Sequence, residues 1–293
     1  MLNPPLSLLS DELLCYVVDN VAKLPSSHIN LYNLSITDRA FTRFCQAHIF
    51  KDLYLGYGYF NDIISRKLVK IKNILNDKPS FANRVRTVHI NTMGKQNVWL
   101  LNDHTFIDII QLLAKSLMPP HKLHLSGFAY SKIEDHVLVV GILTQSFFSR
   151  TLTVLDLTYC ENVPLTLFLV CPNLREVCLG DVAVSESRYD EYPDSQCFGR
   201  ELPALERLKY RNSETLIEKM ITPPPKFSMA VVDWSKLRVL ELYPQEKEGM
   251  MCLQPILDAA CNTLEELHLT YGPNLRATLG WNFAGKMWSF LSI

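Results

Sequence analysis

Apolar positions along most of the chain fall into one short arrangement, apolar-x-x-apolar-x-apolar, which recurs seven times. The copies are Val85-x-x-Val88-x-Ile90, Pro120-x-x-Leu123-x-Leu125, Leu152-x-x-Leu155-x-Leu157, Leu174-x-x-Val177-x-Leu179, Leu205-x-x-Leu208-x-Tyr210, Leu237-x-x-Leu240-x-Leu242 and Leu264-x-x-Leu267-x-Leu269. Their first positions advance by 35, 32, 22, 31, 32 and 27 residues, room each time for a strand, a return segment and two turns. Apolar residues two apart face the same side of a strand, so each copy predicts a strand with one buried face. Between copies the period becomes helical: Phe106, Ile109, Ile110, Leu113 and Leu117 share one face, as do Ile64, Leu68, Ile71 and Leu75. Ser131 and Glu134 have capping-box spacing and predict a helix running toward Phe148. Strands alternating with helices predict an α/β fold with a parallel sheet, in which each unit buries its apolar face against the next.

Before the first copy the pattern is purely helical. Ser10 with Asp11 and Glu12 marks a helix start, Leu13, Leu14, Val17, Val18 and Val21 follow at helical spacing, and Pro25 closes the segment. A second short helix carries Leu31 and Leu34, and a third starts near Asp38 and buries Phe41, Phe44 and Cys45. Three helices in about forty residues make a core too small to be secure alone.

The repeated units resemble leucine-rich repeats, best at Leu152-x-x-Leu155-x-Leu157-x-x-Cys160, where the cysteine takes the family's Asn/Cys ladder position. Cys171-Pro172-Asn173-Leu174 and Cys261-Asn262-Thr263-Leu264 resemble the approach to a strand in the cysteine-containing subfamily, which implies thiols facing the core. Residues 4 to 52 resemble the F-box, in particular the divergent modules joined to repeats in fungal proteins. Leu9-Ser10-Asp11-Glu12-Leu13-Leu14 lies over the family's Leu-Pro-x-Glu-Leu-Leu opening and Thr37-Asp38-Arg39-Ala40-Phe41 over its Ser-x-Arg-x-Phe stretch. Cys45 to Phe50 resembles the closing segment; Ser10 stands where the family has proline, and Thr37 replaces serine or cysteine. The resemblance implies an F-box-like module over residues 1–58 and an irregular leucine-rich-repeat solenoid over 59–293. It also implies a non-enzymatic substrate receptor of a cullin-type SCF ubiquitin ligase in the cytoplasm or nucleus. A Skp-type adaptor would then dock on Leu9, Leu13, Leu14, Val17, Leu31, Leu34 and Phe41. The rival expectation is a repeat scaffold whose helices only cap the array.

Composition narrows the partners. Lys plus Arg is 29 against 30 for Asp plus Glu, so no global positive field exists to gather nucleic-acid phosphates. Uncharged apolar stretches such as Val137 to Ser149 fall short of the ~18 residues of a membrane helix, and the amino-terminal segment lacks a basic region typical of a secretory signal. Eight cysteines include no Cys-x-x-Cys pair, so they read as small apolar residues of a reducing compartment. Two insertions interrupt the array. Asp181 to Glu201 reads as a mobile acidic loop, and Thr222 to Trp234 opens with Thr222-Pro223-Pro224-Pro225, a stiff spacer.

Chemistry is sparse. Gly280 to Lys286 has phosphate-loop spacing, but Met287 stands where a magnesium-binding Ser or Thr belongs. Gly56-Tyr57-Gly58-Tyr59 lacks the third glycine of a dinucleotide loop and reads as a turn. Arg66, Lys67, Lys70 and Lys72 read as the wet face of a helix. No cofactor, metal or catalytic residue is expected. The position between the last two apolar residues of each copy points away from the core: His89, His124, Asp156, Cys178, Lys209, Glu241 and His268. His89, His124 and Asp156 are the residue types a metal takes, although a polar recognition face is the expected role. Lys209, Arg211, Glu241 and Tyr243 are the expected target-binding residues.

Overall fold

The computed structural model describes residues 9–56, 61–92, 99–128, 148–184, 201–222, 231–243, 252–270 and 288–290. Three helices come first: α1 (Asp11–Ala22), α2 (Ser27–Thr37) and α3 (Arg39–Ile49). Ser10 caps α1 by accepting from the Leu13 N–H at 3.5 Å, and Asp38 caps α3 by accepting from Ala40 N–H at 2.8 Å. Leu14, Val18, Leu31, Phe41 and Cys45 form a small core of their own, with Val21, Leu34 and Phe44 packed around it. Its lower end is tied to the next part of the chain: Phe50 stacks on Phe81 at 4.4 Å, and Arg84 donates to Gln46 at 2.7 Å.

The rest is a mixed α/β array. Eight parallel strands stand in sequence order: β1 (Asp52–Leu55), β2 (Thr87–Asn91), β3 (Lys122–Ser126), β4 (Val154–Thr158), β5 (Glu176–Gly180), β6 (Arg207–Arg211), β7 (Val239–Tyr243) and β8 (Glu266–Leu269). A ninth, β9 (Trp288–Phe290), pairs antiparallel with β8. All seven copies of the apolar pattern are strands. Their register is the one the pattern demands, with Leu53, Val88, Leu123, Leu155, Val177, Leu208, Leu240 and Leu267 in one row. Leu55, Ile90, Leu125, Leu157, Leu179, Tyr210, Leu242 and Leu269 form the next row.

The connections repeat too. One carbonyl before or at each strand start accepts from two successive N–H groups of the next unit: Lys51 from Arg86 and Thr87, Arg86 from His121 and Lys122, and so on to Arg238 from Glu265 and Glu266. Past the carboxyl ends of β1, β3, β4, β5 and β6 the chain turns through a left-handed residue, Gly56, Gly127, Tyr159, Asp181 and Asn212 respectively. Gly56 has no substitute: a Cβ there would lie 2.2 Å from the Asn91 carbonyl oxygen.

Return segments cover the inward face. They include α4 (Asn61–Asp77), α5 (Trp99–Asn102), α6 (His104–Ala114), α7 (Phe148–Thr151), α8 (Thr166–Leu169), α9 (Glu214–Ile221) and α10 (Leu253–Ala259). Ile64, Leu68 and Leu75 of α4, Phe106, Ile109, Ile110 and Leu113 of α6, and Leu216, Ile217 and Met220 of α9 join the inward strand residues in one continuous core. Each fully buried aliphatic side chain there contributes about 1.5–3 kcal/mol of transfer free energy.

Several expectations need correction. The sheet starts inside the segment 1–58, because β1 pairs with β2, so the seam between helices and sheet precedes Asp52 rather than following residue 58. Leu117 lies beyond the end of α6 and is 88% exposed, since the helix stops at Ala114. Cys160 and Cys171 are buried as expected, and the Cys160 thiol donates to the Leu125 carbonyl at 3.6 Å; Cys261, however, is exposed. The first insertion does not begin as a free loop: Asp181 is fixed to β6, and Val182 and Val184 are buried. At the far end of the second, Val231, Val232 and Trp234 are buried as well. The segments 185–200 and 223–230, the Ser131–Glu134 pair, Tyr57 to Tyr59 and Gly280 to Lys286 lie outside the described residues.

Candidate functional site

Strand alternation places every second side chain on the face opposite the helices. The predicted outward column, His89, His124, Asp156, Cys178, Lys209, Glu241 and His268, is continuous in the register on β2 to β8, and the structure adds Tyr54 of β1 beside His89. Its two ends differ in chemistry.

At the β1–β4 end aromatic rings line up. Tyr54 stacks on His89 at 4.3 Å and 13°, and the His89 ring lies 5.3 Å from that of His124. Carboxylates hold the imidazoles in place, with His124 Nδ1 3.1 Å from Asp156 and His89 Nε2 3.9 Å from Asp52. The neighbouring His89 imidazole, and Thr87 after it, hold the Asp52 carboxyl below its ordinary range against the effect of burial. Burial works to raise Asp156, but the bond from His124 and the charge of Lys122 outweigh it and hold that carboxyl low as well. His89, His124 and Asp156 are brought together but do not converge on one point, because Asp156 occupies His124 while His89 leans on Tyr54 and Asp52. Among the described residues no group of three His, Cys, Asp or Glu side chains is placed to hold a metal ion. Cys178, next in the column, is pushed up to about 12 by burial and then by the Asp156 and Glu176 carboxylates, which makes it a poor nucleophile.

At the β6–β7 end cations, carboxylates and tyrosine stand side by side, with Glu176 of β5 in register with Arg207. The four expected target-binding residues are neighbours: Lys209 stands opposite Glu241 and Arg211 opposite Tyr243. Lys209 pairs with Glu241 at 3.3 Å and lies 5.3 Å over the Tyr243 ring. Arg207 approaches Glu241 at 3.7 Å, and Arg211 pairs at 2.5 Å with Asp181, which also accepts from Asn212 at 2.7 Å. Asp181 chiefly, and the Tyr159 hydroxyl after it, raise the Arg211 guanidinium above its ordinary value. Tyr159, Asp181 and Arg207 were not anticipated as part of this cluster. Arg207 follows from the same alternation that placed Lys209 and Arg211. Tyr159 carries no such signal, because a tyrosine at φ 54 is not what a left-handed turn position selects.

The helical module presents a second surface. Among the described residues, eight of the fifteen exposed large hydrophobic ones fall between Leu9 and Ile36: Leu9, Leu13, Tyr16, Val17, Leu24, Ile29, Tyr32 and Ile36. On α1 the residues at 13, 16 and 17 share one face, with Leu9 just before the cap, and on α2 those at 29, 32 and 36 do so. The seven expected adaptor-contact residues therefore divide. Leu9, Leu13 and Val17 are exposed and Leu34 is partly buried, whereas Leu14, Leu31 and Phe41 belong to the module's own core and cannot face a partner without unfolding it. Tyr16, Ile29, Tyr32 and Ile36 were missed, although helices apolar on two sides were readable in the sequence.

No protein-family model matches the chain, and no curated protein matches it. Among solved structures, a structural-genomics crystal structure of a Bacteroides fragilis protein is similar over 75% of this chain and 74% of that chain, at 12% identity and a TM-score of 0.33. A likeness that distant bears on neither fold family nor function. The described chain is thus an α/β protein with eight parallel strands in sequence order and a three-helix module before them.

Proposed function

We propose that the chain is the target-recognition subunit of a cullin-type SCF ubiquitin ligase, with α1–α3 as an F-box-like module that docks a Skp-type adaptor. The array after it is read as an irregular leucine-rich-repeat solenoid, whose outward face holds a target protein. Ubiquitin transfer belongs to other subunits, and this chain supplies proximity. The role places it in the cytoplasm or nucleus.

The observation that supports this reading best is the second apolar face of α1 and α2. A module with a five-residue core gains nothing in its own stability from holding Leu13, Tyr16, Ile29, Tyr32 and Ile36 in water. Exposed apolar residues gathered on one face of a helix in this way mark an interaction site. The outward column of polar and aromatic residues supplies a recognition face separate from the adaptor face.

A second reading, a scaffold without a ligase role, draws on the Phe50–Phe81 stack and the Arg84–Gln46 bond, through which the end of α3 is tied to the turn Pro79–Arg84 ahead of β2 as a terminal cap would be. Affinity purification of the intact chain separates the two. Adaptor and cullin co-purify with the unmodified chain under the ligase reading, and the double variant Leu13→Asp, Tyr16→Asp loses both while remaining folded. Absence of adaptor from the unmodified chain favours the scaffold.

A further inference from the structure

The rim just ahead of the strands, where one carbonyl per unit accepts from two N–H groups of the next, carries its charges unevenly. At the far end the signs alternate and cancel: Arg175 pairs with Glu206 at 3.1 Å, and Arg238 holds Glu265 through two bonds of 2.8 and 2.7 Å. At the near end three successive rungs are Lys51, Arg86 and His121, with Lys122 next to the last. Among the described residues none of these four has a carboxylate within ion-pair distance. Arg86 shows the imbalance most plainly. Its Nη1 donates to the carbonyls of Asn83, Val85 and Met118 at 2.8, 3.3 and 3.3 Å, and its Nη2 to the Met118 sulfur at 3.3 Å. All of these acceptors are neutral, so the guanidinium is fixed in place and keeps its charge. Burial first, then the charges of Arg86, Lys51 and Lys122, push the His121 imidazole down, and no carboxylate opposes them. The carboxylates that do reach these cations, Asp52 beside Lys51 and Asp156 beside Lys122, are held by His89 and His124 on the outward face. Lys78 and Arg84 bring further positive charge, lying over the Phe81 ring that stacks on Phe50 next to Lys51. With Asp52, Asp156 and the chain neighbour Asp77 all counted, five cations stand against three carboxylates. This end of the rim is therefore net positive.

We propose that Lys51, Arg86, His121 and Lys122 form a binding site for a tetrahedral oxyanion of the phosphate class. The site lies on the rim, off the outward face, and needs neither adaptor nor target, so it goes beyond the ligase reading. Neighbouring strands stand about 4.8 Å apart, which puts three rungs within about 10 Å, a span that long Lys and Arg side chains close around one anion. Lys51 and His121 are exposed and Arg86 and Lys122 half-buried, so the anion enters from solvent. A dianion answers several cations at once, where one carboxylate would answer one, and its oxygens accept charge-assisted hydrogen bonds from each. Arg86, anchored by its carbonyl partners, supplies fixed donors, and the lysines supply mobile point charges. Without the anion the like charges repel one another.

The test follows the His121 ring by NMR in the full chain, its signal identified by its loss in His121→Asn, during titration with inorganic phosphate against chloride at constant ionic strength. The signal should shift saturably, and its titration midpoint should rise in saturating phosphate, because the anion offsets the surrounding cations. Lys51→Gln with Lys122→Gln should weaken phosphate binding at least tenfold while the melting temperature without phosphate stays equal or rises, since like charges have been removed. Arg175→Gln with Glu206→Gln, on the charge-balanced part of the rim, should leave binding unchanged. The peptide Gly-Gly-phosphoserine-Gly-Gly separates the sources of the anion: affinity at or below that of inorganic phosphate marks a free anion, and affinity at least tenfold higher marks an ester carried on a protein. No saturable shift up to 20 mM phosphate, the same shift from chloride alone, or a double lysine variant that binds like the unmodified chain would each overturn the proposal. A double lysine variant whose melting temperature falls as binding is lost would assign the lysines to the fold and overturn it too.

Discussion

Leu13 and Leu14 are adjacent in sequence and opposite in role, and alanine at each separates the module's core from its outer face. Leu14 is 3% exposed among Val18, Leu31, Phe41 and Cys45, whereas Leu13 is 53% exposed. Leu14→Ala removes three buried carbons, about 2.4 kcal/mol at ~0.8 per carbon, and the cavity left behind brings the cost to about 2–5 kcal/mol. Leu13→Ala costs within about 0.5 kcal/mol, the ordinary range for an exposed position. A module of about forty residues has roughly 2–6 kcal/mol of stability at the usual ~0.05–0.15 per residue. Leu14→Ala therefore takes most of it. Hydrogen exchange followed by mass spectrometry reads the outcome: amides of α1 to α3 lose protection in Leu14→Ala, keep it in Leu13→Ala, and those of β3 to β7 are unchanged in both because they sit on a separate core. Equal effects of the two substitutions, or loss of protection in β3 to β7, would refute the division into two cores.

Gly56→Ala should destabilise the β1–β2 end by about 2–4 kcal/mol, since a left-handed backbone at φ 81 is combined with a clash against the Asn91 carbonyl; chemical denaturation measures it. Asp52 and Asp156 have folded-state values below the ordinary ~3.9, so the unfolded chain takes up protons first on acidification. The stability they contribute is fully present above about pH 4 and is lost as pH falls through the lowered values. Asp156→Asn should make that acid limb shallower in denaturation curves between pH 5 and 2.5. Of the seven described cysteines, Cys15 and Cys261 are exposed; desolvation and then the Asp19 carboxylate hold the Cys15 thiol up, so Cys261 should react first with iodoacetamide at pH 8, whereas Cys171 and Cys178, both pushed up to about 12, should react only on unfolding, as peptide mass mapping would show.

The strands were legible because a buried face needs only apolar residues two apart, and that requirement fixed both the strands and their register from Val85 onward. The strand before them was equally legible in retrospect: Phe50-x-x-Leu53-x-Leu55 is an eighth copy of the pattern, hidden because Phe50 also closes the helical segment. The outward column followed from alternation alone. Its pairings did not, since whether His89 leans on Tyr54 or toward Asp156 depends on rotamers that no periodicity encodes. On α1 the sequence shows apolar residues on two sides of the helix without saying which side packs inward. Contact with Leu31 and Phe41 decides it, burying Leu14 and leaving Leu13 outside.

Adaptor binding to the amino-terminal helices is tested most directly by hydrogen exchange of the purified chain with and without a purified Skp-type adaptor. Slowed exchange confined to α1 and α2, around Leu13, Tyr16, Ile29, Tyr32 and Ile36, with β6 and β7 unaffected, is the expected result. Unchanged exchange in α1 and α2 at saturating adaptor, or protection appearing on the strands instead, would contradict it.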